Sequence, residues 1–263
     1  MSAKNPHAHR VLNCIPSRSP EKDWQFIHAA NANVLTKAAV PPSKDLRAAW
    51  WTINDQKDTG SCVGWASADG VIRWHLTKAG RLSQNILLAP RFLWMASKET
   101  DELISYPSTF LETEGTSLKS ALDIARRFGN VTDDVLPFGS GTLFKGKSQD
   151  FFALAAQRKI SSYFNLGRNL TAWRTWIAKQ GPILVRLDAD ATWDAAKATQ
   201  GKLGVYQPNT TRGGHAVALV GYTPDYFIVR NSWGATNWGD KGFAYASNAY
   251  AAAAFTEAYG VGL

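Results

Sequence analysis

The chain has 263 residues, 45% of them hydrophobic, with eleven tryptophans and a formal net charge of +8. That length supplies one large domain or two small ones with a real core, and since no apolar run approaches about 18 residues, no membrane-spanning helix is expected. Lysines and arginines are scattered rather than blocked, so the basic balance reads as solubility and a preference for acidic partners, and no nucleic-acid or membrane partner is expected.

Residues 1 to about 40 are rich in Ala, Asn, Pro and Ser. Met1 to Arg18 lacks an apolar core and is not expected to act as a secretory signal. A cytoplasmic location, or export by a signal-independent route as for an effector, is the corresponding expectation. Trp24–Leu35 is weakly helical, and its small apolar surface is too little to fold alone.

The stretch Gln56 to Trp65 is the most informative in the first half. Thr59-Gly60 is a turn signal and Ser61 a good N-cap. From Trp65, apolar positions recur at Ala68, Ile72, Leu76 and Ala79, a helical period, and Gly80 supplies a stop. Cys62 therefore falls in the first turn of a buried helix. Free amides and the helix dipole there favour a thiolate, the nucleophilic form of cysteine. A small apolar core residue is the plainer reading, and this stretch alone leaves both open.

Leu82–Glu99 follows, with Pro90 suited to a first helical turn and Phe92, Leu93 and Met95 on the apolar side. Residues 101–115 read as a loop. Thr116 or Ser117 caps a helix that turns Leu118, Ala121, Leu122, Ala125 and Phe128 inward and ends at Gly129. Asn169–Gln180 is a further helix, closed by Gly181-Pro182, and strands run from Ile183–Leu187 through Tyr245. Helices dominate the first half and strands the second, the order of an α+β chain with two lobes and a cleft between them.

Near the C-terminus, Gly213–Tyr222 and Tyr226–Gly234 flank Thr223-Pro224-Asp225, a hairpin candidate. A hairpin centred on Thr223 puts His215 opposite Asn231, with Cβ atoms about 4.5–5.5 Å apart. A bulge would alter that register.

Three blocks, Gln56-x5-Cys62, Gly214-His215-Ala216-Val217 and Asn231-Ser-Trp-Gly-x3-Trp-Gly-x2-Gly242, resemble the signature blocks of the papain-like cysteine peptidases, in the family's order. The resemblance runs from about Pro41 to Leu263. It implies a papain-like two-lobe fold over 41–263, a helical lobe at about 55–155 and a β lobe at about 160–263, preceded by an N-terminal extension over 1–40. Asp45-Leu46-Arg47 resembles the segment that opens the family's mature domain. The long helical propeptide of the family is not found, so residues 21–38 read as a short propeptide, a packing arm or a flexible tail, the arm or tail being preferred. The resemblance also implies a peptidase acting on proteins or peptides through a thioester acyl-enzyme. Cys62 is then the nucleophile, His215 the base and acid, and Asn231 the group that orients the imidazole. Gln56 and the Cys62 amide become the oxyanion donors, and Trp233 a shield for the His–Asn contact. No cofactor or metal is implied.

Ser61, Glu114, Gly115 and Gly214 are the candidate substrate-binding residues. Glu114-Gly115 stands where the family has a Gly-Gly loop that pairs with the peptide, although an ordinary acidic loop reads equally well. Gly214 stands where relatives often have Asp or Asn before the histidine, and Val63 and Gly64-Trp65 also depart from the family pattern. Ser117 lies near the wall of the main specificity pocket. Thr59 stands where secreted relatives carry a disulfide cysteine. With Cys62 committed to chemistry, Cys14 has no spare partner, and the chain reads as built for a reducing compartment or one where disulfides are not assumed. His7 and His9 read as tail residues, His75 as a polar position on its helix, and no histidine cluster has metal-ligand spacing. Rival readings are acyl transfer to an amine on the same site, and a non-catalytic binding module. The second is disfavoured because Gln56, Cys62, His215 and Asn231 are all present.

Overall fold

The computed structural model describes residues 7–35, 38–100, 114–139 and 144–263. Most of the loop expected at 101–115 and the first six residues of the extension lie outside these. Every residue from Ser61 to Leu76 is buried, so the Cys62 helix is enclosed on all sides and forms the centre of the molecule. It runs as α2 (Cys62–Ser67), a π-helical turn (Ala68–Ile72) and α3 (Arg73–Lys78), after a short α1 (Phe26–Asn31). α2 packs on α4 (Pro90–Thr100), α5 (Leu118–Arg127) and the sheet. Pro90 opens α4, where its missing N–H leaves nothing unsatisfied. Ser117 Oγ accepts the Ser120 N–H at 3.3 Å and caps α5. α6 (Ser148–Ala156) covers this layer and has no counterpart in the sequence reading.

The sheet has eight strands in the order β2-β8-β3-β5-β6-β7-β4, with β1 added on β5. They are β1 (Lys44–Asp45), β2 (Ser162–Asn165), β3 (Ile183–Ala189), β4 (Lys202–Leu203), β5 (Gly213–Tyr222), β6 (Tyr226–Arg230), β7 (Phe243–Ser247) and β8 (Phe255–Gly262). All pairings are antiparallel except β4 with β7. The strand period of two splits β5 between two cores. Ala216, Ala218 and Val220 join the helices around Cys62, while Val217 and Leu219 join Trp173, Trp176 and Phe227. The second core is closed by α7 (Leu170–Lys179), whose N-cap Asn169 accepts the N–H groups of Thr171 and Ala172, each at 3.0 Å. Short helices α8 (Ala191–Asp194) and α9 (Asn248–Ala254) complete the chain.

The β5–β6 hairpin departs from the expected register. Ala218 pairs with Arg230 and Leu219 with Val229, then the register shifts, and Gly221 pairs with Ile228. Val220 is the extra residue of this bulge, and its carbonyl accepts the Leu46 N–H at 2.9 Å. β6 ends at Arg230, and His215 pairs across β3 with Leu187, so His215 and Asn231 are not cross-strand partners.

Three charges meet where the helix packs on β6. Asp69 receives Arg73 Nη1 through Oδ1 and Arg230 Nη2 through Oδ2, both at 2.8 Å, and all three side chains are at most 3% exposed. Arg230 Nη2 also donates to the Thr52 carbonyl at 2.6 Å and Arg73 Nη2 to that of Gln84 at 2.8 Å. His75, expected as a polar helix position, is buried. Burial lowers its pKa from 6.5 to about 4, against a hydrogen bond to the Pro182 backbone. Among the described residues no helix is long and apolar enough to cross a membrane.

Two outcomes follow from these buried groups. Asp69→Ala leaves two guanidinium groups buried without their carboxylate and should cost on the order of 3–5 kcal/mol, read as a lowered urea midpoint. His75 is neutral when folded and its folded pKa lies below its unfolded value, so the unfolded chain takes up the proton first. Its contribution is full above pH 6.5 and is lost as pH falls from 6.5 toward 4, up to about 3 kcal/mol on full titration. Thermal unfolding followed across that range should show a shallower pH slope for His75→Phe than for the parent chain.

Candidate active site

Gln56 is placed by backbone and side chain together. Its N–H donates to the Ser232 carbonyl at 2.8 Å. Oε1 accepts the Ser232 hydroxyl at 2.7 Å, and Nε2 donates to the Thr59 carbonyl at 3.0 Å. Ser232, to which the sequence reading assigned no role, is therefore what orients this amide. The turn from Gln56 to Cys62 is closed by the Thr59 hydroxyl donating to the Gln56 carbonyl at 2.7 Å. Ser61 makes no side-chain cap, contrary to expectation. Its hydroxyl pairs with that of Thr59 at 2.6 Å, and its carbonyl accepts the Trp65 N–H at 3.0 Å. Ser61 is fully buried and shapes the turn.

Cys62 is the first residue of α2 and His215 the third of β5. His215 Nε2 lies 2.8 Å from Asn231 Oδ1, and an acceptor there selects the Nε2–H ring. The contact forms although the two residues are not opposed in the sheet. Nδ1 is buried without another hydrogen-bond partner, and it is the ring atom left for Cys62. Trp233 lies over the imidazole with centroids 5.1 Å apart, Trp193 meets it edge-on at 5.5 Å, and Trp238 backs Trp193 at 4.6 Å. Trp193 was invisible as a site residue because Ala191-Thr192-Trp193-Asp194 carries no motif.

The Cys62 thiol is drawn well below its usual pKa. Cys14, hydrogen-bonded through its side chain, is the largest cause, and His215 and the Ala216 backbone add to it against the penalty of burial. Cys14 is pushed well above the usual range by burial and by the same sulfur. Both cysteines are free thiols, and Cys14 has no disulfide partner.

Cys14 meets Cys62 because the N-terminal segment crosses the site. The Cys14 N–H donates to the Gly214 carbonyl at 2.9 Å, Arg186 Nε donates to the Cys14 carbonyl at 3.0 Å, and the Ile15 N–H donates to the Thr116 carbonyl at 3.2 Å. A Cβ at Gly214 would collide with the Cys14 carbonyl, and one at Gly115 with that of Asn13; both positions need glycine for this close approach. The Glu114 carbonyl accepts Trp94 Nε1 at 2.8 Å. Gly115 and Gly214, two of the four expected substrate-binding residues, thus contact the chain's own residues 13 and 14. Upstream, Arg10 binds Asp55 at 2.5 Å and the Lys57 carbonyl at 2.6 Å. His7, read as a tail residue, is buried against Trp233 at 5.2 Å, with its pKa lowered to about 4, mainly by burial. Downstream, the Ser17 N–H donates to Glu257 Oε1 at 2.9 Å and Asp23 pairs with Lys119 at 2.5 Å. Cys62 is 0% exposed as a result. Among the described residues no cluster of His, Cys, Asp and Glu is placed to hold a metal ion.

Comparison with known proteins places this arrangement. The family model of the papain family cysteine proteases matches residues 40–259. Cysteine proteinase B of Leishmania mexicana is 26% identical over 215 residues, 78% of this chain and 44% of its own length. Cathepsin B-like CP2 of Giardia intestinalis is 26% identical over 231 residues, 82% of this chain and 71% of its own. This chain therefore spans less than half of the Leishmania relative. Xylellain, a cysteine protease from Xylella fastidiosa, shares the fold with a TM-score of 0.78 at 20% identity, over 97% of this chain and 96% of its own. Procathepsin B S9 from Trypanosoma congolense does so with a TM-score of 0.66 at 16% identity, over 98% and 88%. With residues 40–259 inside one family model, the chain belongs to the papain family of cysteine proteases.

Proposed function

We propose that the chain is a cysteine peptidase that hydrolyses peptide bonds in proteins or peptides, with Cys62, His215, Asn231 and Gln56 as its catalytic residues. The observation that carries the reading is the set itself: a thiol drawn to its anionic form at a helix start, beside an imidazole whose far nitrogen is 2.8 Å from Asn231. The Cys62 sulfur attacks the peptide carbonyl and forms a tetrahedral oxyanion, which takes hydrogen bonds from the Cys62 N–H and from Gln56 Nε2. One Nε2 hydrogen is already used on Thr59; the other is the one this role requires. His215, having taken the Cys62 thiol proton on Nδ1, gives it to the leaving amine as the C–N bond breaks, and a thioester remains on Cys62. The imidazole then takes a proton from water, the hydroxide attacks the thioester, and Cys62 leaves as thiolate. Asn231 and the surrounding tryptophans hold the ring in the tautomer and orientation both steps need.

Turnover of fluorogenic peptides by the reduced protein, with residues 1–40 present and removed, tests the reading. Activity in at least one form, lost in Cys62→Ala, supports it; no turnover in either form would overturn it. Gln56→Ala removes one oxyanion donor and should lower kcat on the order of 100- to 1000-fold with a small change in KM. Steady-state kinetics on the active form would show this.

A further inference from the structure

Cys14 is the only other cysteine in the sequence, and it lies against the sulfur that the proposed chemistry uses. Its position is determined from several sides. The strand-like contacts to Gly214 and Thr116 and the Arg186 hydrogen bond fix its backbone. Arg10 on Asp55 and Ser17 on Glu257 anchor the segment before and after it. The Cys14 carbonyl is held by Arg186, while Gln56 Nε2 is turned to Thr59. Residue 14 is therefore not presented as an acyl group to be cleaved. Its thiol and that of Cys62 are buried in one cluster, and each sulfur shifts the titration of the other.

We propose that Cys14 and Cys62 form a reversible disulfide, with Cys14 as the resolving thiol, so that a peroxide oxidant locks the N-terminal segment across the cleft and a dithiol releases it. The proposal rests on Cys62 being the reactive thiolate of the peptidase reading. In the first step the Cys62 thiolate attacks hydrogen peroxide, an S–O bond forms, the O–O bond breaks, and hydroxide leaves to be protonated to water. Cys62 is now a sulfenic acid. In the second step the Cys14 sulfur attacks the Cys62 sulfur, the S–O bond breaks, and the departing hydroxide takes the Cys14 proton to form a second water. Two thiols have lost two electrons in all, and the peroxide has gained them. A dithiol such as dithiothreitol reverses the step by becoming the disulfide itself. A resolving thiol already in contact captures the sulfenic acid before a second peroxide carries it to the irreversible sulfinic acid. The lock thus hides the nucleophile and preserves it.

The full-length reduced protein, treated with one equivalent of hydrogen peroxide and then alkylated under denaturing conditions, is analysed by intact mass and peptide mapping. The expected product is about 2 Da lighter, takes up no alkylating agent, and links the Cys14 and Cys62 peptides, all reversed by dithiothreitol. In Cys14→Ser the same treatment should leave Cys62 about 16 Da heavier as sulfenic acid with no link formed, and a second equivalent of peroxide should carry it to the sulfinic acid, about 32 Da heavier, which dithiothreitol does not reverse. A parent chain that accumulates sulfinic acid, or that stays monomeric with both thiols free to be alkylated, would overturn the proposal. The link is read without peptide turnover, so the two readings separate. A chain that hydrolyses peptides but forms no link defeats the lock alone. A chain that forms the link but never hydrolyses peptides once reduced defeats the peptidase reading alone.

Discussion

The buried carboxylate of Asp69 is the constraint on which the site depends. It sits in the π-helical turn of the Cys62 helix and binds Arg73 of the same helix and Arg230 of β6. Arg230 is the residue before Asn231, and Asp69 is seven residues beyond Cys62. One carboxylate therefore ties the helix that begins at Cys62 to the strand that ends at Asn231. Such a cluster is a weak source of net stability because its charges must leave water, but it tolerates only one geometry. Trp51 completes it, with its indole N–H on the Asp69 carbonyl at 2.6 Å and its ring under the Arg230 guanidinium at 4.8 Å. A polar join of this kind fixes position more sharply than apolar packing, which resists sliding less.

Against that rigid frame the N-terminal segment is a different kind of structure. It has few large apolar side chains to bury and is held by backbone hydrogen bonds and by ion pairs such as Arg10–Asp55 and Lys119–Asp23. Each is individually weak where water reaches it. Because the segment belongs to the same chain, its effective concentration in the cleft is high and weak contacts suffice to hold it there. Gly115 and Gly214 show how closely it approaches, since neither position has room for a side chain. The same backbone surfaces that the family resemblance marks for substrate are thus covered by the chain itself.

Much of the local structure was legible because its causes are local. Pro90, Ser117 and Asn169 each start a helix for reasons contained in the adjoining turn: a missing N–H at Pro90, and side-chain oxygens that accept nearby amides at the other two. Ser61 shows the limit of that reasoning. It had the right residue type and spacing for a cap, yet the Thr59 hydroxyl competes for it and wins. The hairpin shows another. Its turn was readable, but Val220 bulges because Leu46, far off in sequence, takes its carbonyl, and the register moves with it. His7 and His75 were read as surface groups because polarity is a property of the residue, whereas burial depends on what lies across the fold.

By itself the sequence determined the α+β class, the family and the order of its three motif blocks, since these are carried by residue type, period and spacing along the chain. Only the tertiary structure decided that His215 reaches Asn231 without being its strand partner, that Trp193 and Ser232 support the site, and that Cys14 meets Cys62. Each of these joins residues from separate elements through a contact whose geometry is set by the packing of the whole chain, and no local pattern records such a contact.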